Sequence, residues 1–239
     1  MGSNLEAPVL KSEDAHVWQF QTDISADQCA GFRNLLSKEE NARADRFVFE
    51  SDRLRFIGSH GRLRMILGSY CSTDPKELVF ATGSHGKPFL MEPSVPIQFN
   101  LSHSGNLAAI VVTSNIRCGI DIEKIRPEVS DRAIAERFFC KRENEWLQCL
   151  PEAQRIQGFY RLWSVKESIL KADGKGLSIP LSDIDTSDVL SRNSSVVALS
   201  GGNPRLSLWV EEVPADEGYT CALAVEGAAP KIRVLQGCS

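Results

Sequence analysis

Apolar residues recur along the chain with two different periods, and the switches between those periods outline the elements. Residues 17–21 alternate weakly and predict a short strand. Ser25 has the chemistry of an N-cap and predicts a helix running to about Arg46. Ser51 caps a second predicted helix, in which Leu54, Ile57, Leu63, Ile66, Leu67 and Tyr70 stand at helical spacing. Pro75, Gly83, Gly86, Pro88, Pro93 and Pro96 then break the chain into turns and short extended pieces. Strands are predicted at 97–101, 107–113 and 117–123, and helices at 131–138, at 142–150 and from about 152 to 171, where Gly174 and Gly176 stop the last one. The tail returns to strands at 205–213, 219–225 and 232–235. Helices interspersed with antiparallel hairpins make the fold class α+β. A faint echo, Arg46-Phe47-Val48-Phe49 against Arg137-Phe138-Phe139-Cys140, is compatible with two half-chain units of similar size.

Composition narrows the class of protein. At 239 residues the chain can bury a core without covalent staples. With 42% hydrophobic and 24% charged residues it is not an apolar-poor disordered chain, and a net charge of −4 excludes a generically basic nucleic-acid coat. The longest clean apolar run, 107–112, is too short to span a bilayer. The N-terminus lacks the basic start and apolar stretch of a signal peptide, and Glu6 stands where myristoylation at Gly2 requires Ser or Thr. Seven cysteines, odd in number and without a Cys-x-x-Cys pair, fit free thiols in a reducing compartment. These features predict a cytoplasmic protein that binds neither nucleic acid nor membrane.

Candidate chemistry gathers in five places. In Gly119-Ile120-Asp121-Ile122-Glu123, strand alternation points Asp121 and Glu123 to one face and the isoleucines to the other. Two such carboxylates are either the charged outer face of an edge strand or hard oxygen ligands for Mg²⁺. In Trp163-Ser164-Val165-Lys166-Glu167-Ser168-Ile169-Leu170-Lys171, helical geometry puts Glu167 and Lys171 one turn apart. That pair alone is an ordinary surface ion pair, but Lys166, Lys171 and Lys175 cluster around it near a glycine-rich end. Phe99-Asn100-Leu101-Ser102-His103-Ser104-Gly105 places a hydroxyl and an imidazole at a turn, where they serve an anion or merely solvent. The lysine of Gly86-Lys87-Pro88 is open to the same two readings. Between Arg43 and Arg64 six arginines face only Asp45, Glu50 and Asp52, either as phosphate forks or as a solvated helix face. No Walker loop, Rossmann fingerprint or Gly-x-Ser-x-Gly elbow is present. Carboxylates, scattered cations and no nucleophile motif suit metal-dependent transfer or cleavage at a pyrophosphate.

Taken in order, Gly86-Lys87-Pro88, Phe99-Asn100-Leu101-Ser102-His103-Ser104, Gly119-Ile120-Asp121-Ile122-Glu123 and Trp163-Ser164-x-Lys166-Glu167-Ser168-x-x-Lys171-x-x-Gly174-x-Gly176 resemble the Sfp-like 4′-phosphopantetheinyl transferase family. The resemblance runs from about Arg43 to Pro180. It implies a pseudo-dimer of two similar α+β halves, 1–118 and 119–239, meeting near Cys118-Gly119 with the active site in the cleft between them. It also implies a reaction: the phosphopantetheine arm of coenzyme A moves to a serine of an apo carrier protein, releasing adenosine 3′,5′-bisphosphate. By the same resemblance Asp121, Glu123 and Glu167 hold Mg²⁺, with Mn²⁺ as the alternative, and Glu167 or a metal-bound water is the base. His103 and Lys171 contact coenzyme A phosphates, and Lys171 assists the departing bisphosphate. Lys87, Pro88 and Arg55 line the adenine and 3′-phosphate side, Ser102 helps hold the nucleotide, and Lys166 joins the coenzyme contacts. The implied partners are acyl, peptidyl or aryl carrier domains, served by a monomer. Two departures stand out: Ser168 replaces an alanine common in the family, and Glu40 stands where a cation is expected, leaving Arg43 near the other. A Mg²⁺-dependent pyrophosphatase using the same carboxylates and a non-catalytic carrier- or coenzyme A-binding module are the competing readings.

Overall fold

The computed structural model describes residues 7–127, 131–175, 180–199 and 206–237. Its elements are, in order, β1 (Asp14–Gln21), α1 (Ala26–Arg33), α2 (Lys38–Ala44), α3 (Glu50–Cys71), β2 (Val79–Thr82), β3 (Pro88–Glu92), β4 (Ile97–Ser104), β5 (Leu107–Ser114) and β6 (Cys118–Lys124). After these come α4 (Asp131–Phe138), α5 (Lys141–Cys149), α6 (Glu152–Asp173), α7 (Ser187–Arg192), β7 (Ser194–Leu199), β8 (Leu206–Glu212), β9 (Tyr219–Glu226) and β10 (Lys231–Gln236). The strands form one sheet ordered β10-β1-β5-β4, a β2-β3 hairpin, and a second sheet ordered β6-β9-β8-β7. β10, from the end of the chain, returns to pair in parallel with β1. No helix among the described residues is long and apolar enough to cross a membrane.

Strand β5 explains why its sequence is an apolar run rather than an alternation. Ala108, Ile110 and Val112 pack beneath Leu63, Ile66 and Leu67 of α3. Leu107, Ala109 and Val111 turn the other way and meet Ile120, Ile122 and Leu223 of the second sheet. Over 107–112 the strand is covered on both faces, and the run is accordingly apolar without alternation. Helix α6 covers the far face of the second sheet, where Val165 and Ile169 pack with Leu208, Val210, Ala222 and Ala224. The layers are therefore helix, sheet, sheet, helix, and each buried Ile or Leu contributes about 1.5–3 kcal/mol relative to exposure.

The two halves repeat one another more closely than the sequence echo suggested. Ser37 and Cys140 occupy the N-caps of α2 and α5, and in each case the glutamate three residues on, Glu40 or Glu143, reaches back to the cap amide at 2.8 Å. The Asn41 and Asn144 amides each donate to three backbone carbonyls around their caps. Each glutamate then pairs with a cation from the 22-residue helix of its half: Glu40 with Arg64 at 2.7 Å, Glu143 with Lys166 at 2.8 Å. Each cation also donates to carbonyls just beyond its helix, Pro75 and Leu78 for Arg64, Leu181 and Ile184 for Lys166.

Several boundaries differ from expectation. The helix predicted from 25 to 46 is two helices, because Ser37 supplies a second capping box that ends the first run. α3 starts at Glu50, with Phe49 rather than Ser51 at its N-cap. α7 and β7 were not expected: α7 has six residues, and β7 is a partly exposed edge strand. Gly174 ends α6 with φ +73°, as its sequence position suggested, whereas Gly176 lies outside the described residues.

Candidate active site

The site is assembled by one close approach. A Cβ at Gly119 would lie 2.2 Å from the Ser168 carbonyl oxygen, so α6 rests on β6 at a distance only glycine allows. Ile120 and Ile122 face the core, and the alternate residues Asp121 and Glu123 face the helix. Lys171, one turn beyond Glu167, is thereby brought to Asp121, its ammonium 2.6 Å from Oδ1. Gly119→Ala is expected to lower unfolding free energy by about 1–3 kcal/mol or more through overpacking. Denaturant unfolding checks this, and an unchanged midpoint would contradict it.

Strand β4 completes the cluster. Ser102 Oγ donates to Asp121 Oδ1 at 3.0 Å and accepts from the Lys171 ammonium at 2.8 Å. Ser104 Oγ donates to Glu123 Oε2 at 2.7 Å. Asp121 is 2% exposed, and its Oδ2 is buried with no hydrogen-bond partner. Burial raises the pKa of Glu123, an effect the Ser104 hydrogen bond offsets in part and the Asp121 charge reinforces. Glu167 is raised by burial first and then by Asp121. Three hard anionic donors, two of them disfavoured as anions and one with an orphaned buried oxygen, have the chemistry of a divalent-cation site. They are not drawn tightly together, however. Among the described residues the group of His, Cys, Asp and Glu ligand atoms lying within 4.8 Å of one another is Cys140, Glu143 and Asp185. There Glu143 is already saturated by Lys166, Thr186 and the Cys140 amide.

A cationic wall stands on the other face of β4. His103 alternates away from Ser102 and Ser104 and is exposed along one side. Even so, desolvation by the surrounding protein, then the charges of His60, Lys171, Arg55 and Arg43, hold its pKa below the usual histidine value. Arg55 is half-buried on α3, 3.2 Å from Asp52 and 3.9 Å from Asp23, and its Nε has no hydrogen-bond partner. Beside Glu123 an open depression of about 400 Å³ is lined by Arg126, Ile134, Phe159, Tyr160 and Trp163.

Comparison with known proteins places the chain in a family. Residues 117–224 match the family described as the 4′-phosphopantetheinyl transferase superfamily, and residues 18–115 match the family described as 4′-phosphopantetheinyl transferase, N-terminal. The chain is 38% identical over 220 residues to the 4′-phosphopantetheinyl transferase HetI of Nostoc sp., which covers 91% of this chain and 90% of that protein. It is 31% identical over 201 residues to the 4′-phosphopantetheinyl transferase Sfp of Bacillus subtilis, covering 84% of this chain and 86% of that protein. The chain belongs to the 4′-phosphopantetheinyl transferase superfamily. The activity that goes with membership is 4′-phosphopantetheinyl transfer to carrier proteins, and family members typically use coenzyme A and Mg²⁺.

Within this transferase, not every residue singled out in the sequence reaches the cluster. Asp121, Glu123, Glu167, Lys171 and Ser102 come together on β4, β6 and α6. Lys166 does not: it is fully buried, and its ammonium is held by Leu181 O at 2.7 Å, Ile184 O at 2.5 Å and Glu143 at 2.8 Å. Its expected place among the coenzyme A contacts is corrected to a structural one, since all three N–H donors are committed inside the protein. Lys87 donates to Cys118 O at 2.8 Å and Lys171 O at 2.7 Å, tying the start of β6 to the end of α6, with Pro88 exposed beside it. Glu40, anomalous as a cation position, is the acidic half of the Arg64 pair and lies 3.3 Å from His60. The Ser168 hydroxyl donates to its own helix at Val165 O, away from the chemistry. His60 and Ser104 were missed: the strand was expected to end at 101 with Ser102 and His103 on a turn, whereas β4 runs on to Ser104, and alternation along it puts Ser104 on the Ser102 face.

Proposed function

We propose that the protein transfers the 4′-phosphopantetheine arm of coenzyme A to a serine hydroxyl of an apo carrier protein, releasing adenosine 3′,5′-bisphosphate. The observation that carries this reading is the convergence of Asp121, Glu123, Glu167 and Lys171, with Asp121 Oδ2 buried and unpartnered. Asp121, Glu123 and Glu167 would hold Mg²⁺ or Mn²⁺, which when bound supplies charge neutralisation at the pyrophosphate. His103 and Arg55, with His60 and Arg43 beside them, receive the nucleotide phosphates on the cationic wall. Lys87, Pro88 and Ser102 frame the nucleotide, and the depression lined by Phe159 and Trp163 suits the arm itself.

Glu167 takes the serine proton. The serine oxygen bonds to the pantetheine-side phosphorus as the bond from that phosphorus to the bridging oxygen breaks. The bisphosphate leaves with the electron pair, and Lys171 follows the departing charge. The remainder of the reading is a cytoplasmic monomer serving acyl, peptidyl or aryl carriers, with its halves dividing near Cys118-Gly119 and the active site in the cleft between them.

Intact-mass spectrometry tests the whole reading. With coenzyme A, Mg²⁺ and an apo carrier, the carrier is expected to gain one phosphopantetheine. An unmodified carrier with hydrolysed coenzyme A would replace transfer by pyrophosphatase chemistry. An unmodified carrier with intact coenzyme A would leave only a binding module.

A further inference from the structure

Strands β4 and β6 are edge strands of different sheets and share no backbone ladder. Side chains of β4 take its place. Asn100 Oδ1 accepts from the Ile120 amide at 2.9 Å, Ser102 Oγ from the Ile122 amide at 3.4 Å, and Ser104 Oγ from the Lys124 amide at 3.1 Å. The rungs advance by two residues on both strands, so every rung holds one edge amide of β6 that no strand ladder takes up.

The residue preceding each held amide differs, and the difference carries the argument. Before Ile120 stands Gly119, so the Asn100 rung reaches no carboxylate. Before Ile122 and Lys124 stand Asp121 and Glu123, and there the serine hydroxyls donate their protons, at 3.0 Å and 2.7 Å. A hydroxyl that accepts from a fixed backbone amide has little freedom in where its own proton points. Ser102 is further engaged by Lys171, whereas Ser104 is shared by the Lys124 amide and Glu123.

We infer that Ser104 is a positioning residue for Glu123, orienting its carboxylate so that the oxygen not bonded to the hydroxyl is presented as a ligand before a cation arrives. The inference rests on the reading of Asp121 and Glu123 as cation ligands. Partners of this kind, hydrogen-bonded to a ligand rather than to the metal, typically change metal affinity by about 10–100-fold.

The test is a titration of the full chain with Mn²⁺ alone, followed by water-proton relaxation, with thermal unfolding recorded for each variant. Ser104→Ala is expected to weaken Mn²⁺ about tenfold and to raise by the same factor the Mn²⁺ needed for half-maximal transfer. Asn100→Ala removes a rung but no carboxylate bond, so it is expected to lower the melting temperature while keeping Mn²⁺ affinity within about twofold. Ser104→Thr, which retains the hydroxyl, is expected to recover most of the affinity. Unchanged Mn²⁺ affinity in Ser104→Ala would overturn the inference. An equal loss in Asn100→Ala would also overturn it, by showing that the rungs act only through strand placement. A wild-type protein that binds no Mn²⁺ would overturn the cation reading itself, and this inference with it.

Discussion

With Glu167 replaced by Gln, transfer is expected to fall about 10³-fold, a loss typical of removing one preorganised electrostatic group from an active site. The metal-free protein is expected, at the same time, to melt at a higher temperature. Both effects have one origin. Burial first, and the Asp121 charge second, raise the pKa of Glu167, so its ionised form is disfavoured in the folded state. A carboxylate whose folded pKa lies above its unfolded value opposes folding increasingly as pH rises between the two. Above the folded value the whole penalty is present. At neutral pH the amide removes that penalty, and with it the proton acceptor and the anionic ligand. Carrier mass gain over time checks the first outcome, and calorimetry in a chelating buffer checks the second. Wild-type rates would end the assignment of Glu167, and a lowered melting temperature would show that no repulsion is stored there.

Lys166→Met is expected to act in the opposite sense, lowering unfolding free energy by about 3–5 kcal/mol, because it leaves Glu143 buried without its cation. Glu143 and Lys166 are both fully buried, 2.8 Å apart. Where the variant is folded, its KM for coenzyme A should match that of the wild type, since the ammonium faces Leu181 and Ile184 rather than the site. Denaturant titration gives the first quantity and steady-state kinetics the second. A raised KM with unchanged stability would return Lys166 to the coenzyme contacts.

Lys166, Glu167 and Lys171 of α6 show how far helical spacing reaches. Glu167 and Lys171 are four apart and share a face, so their pairing was legible from the chain, whereas their meeting with Asp121 depends on how α6 packs on β6. Lys166 is adjacent to Glu167 in sequence but about 100° away around the helix, where Val165 and Ile169 also pack inward. Counting lysines near a glycine-rich end grouped what helical periodicity separates. Glu143 was not recognisable as the partner, because nothing local distinguishes a capping glutamate from one that also neutralises a buried cation. Glu40 was obscure for the same reason, its partner Arg64 lying on another helix. Ser37 was overlooked because the apolar pattern of 25–46 continues through a capping box that stops the chain from doing so.

The sequence by itself determined the local geometry of the chemistry: alternation paired Asp121 with Glu123, helical spacing paired Glu167 with Lys171, and the motif order indicated the family. The tertiary structure decided how those pairs meet. Gly119 lets α6 rest on β6, which brings Lys171 to Asp121, and the side chains of β4 hold the edge of β6 across two sheets. The physical reason is range. Periodicity follows from bonds between near neighbours, whereas burial, pKa and hydrogen-bond partners depend on segments that only the packed layers bring within a few ångströms.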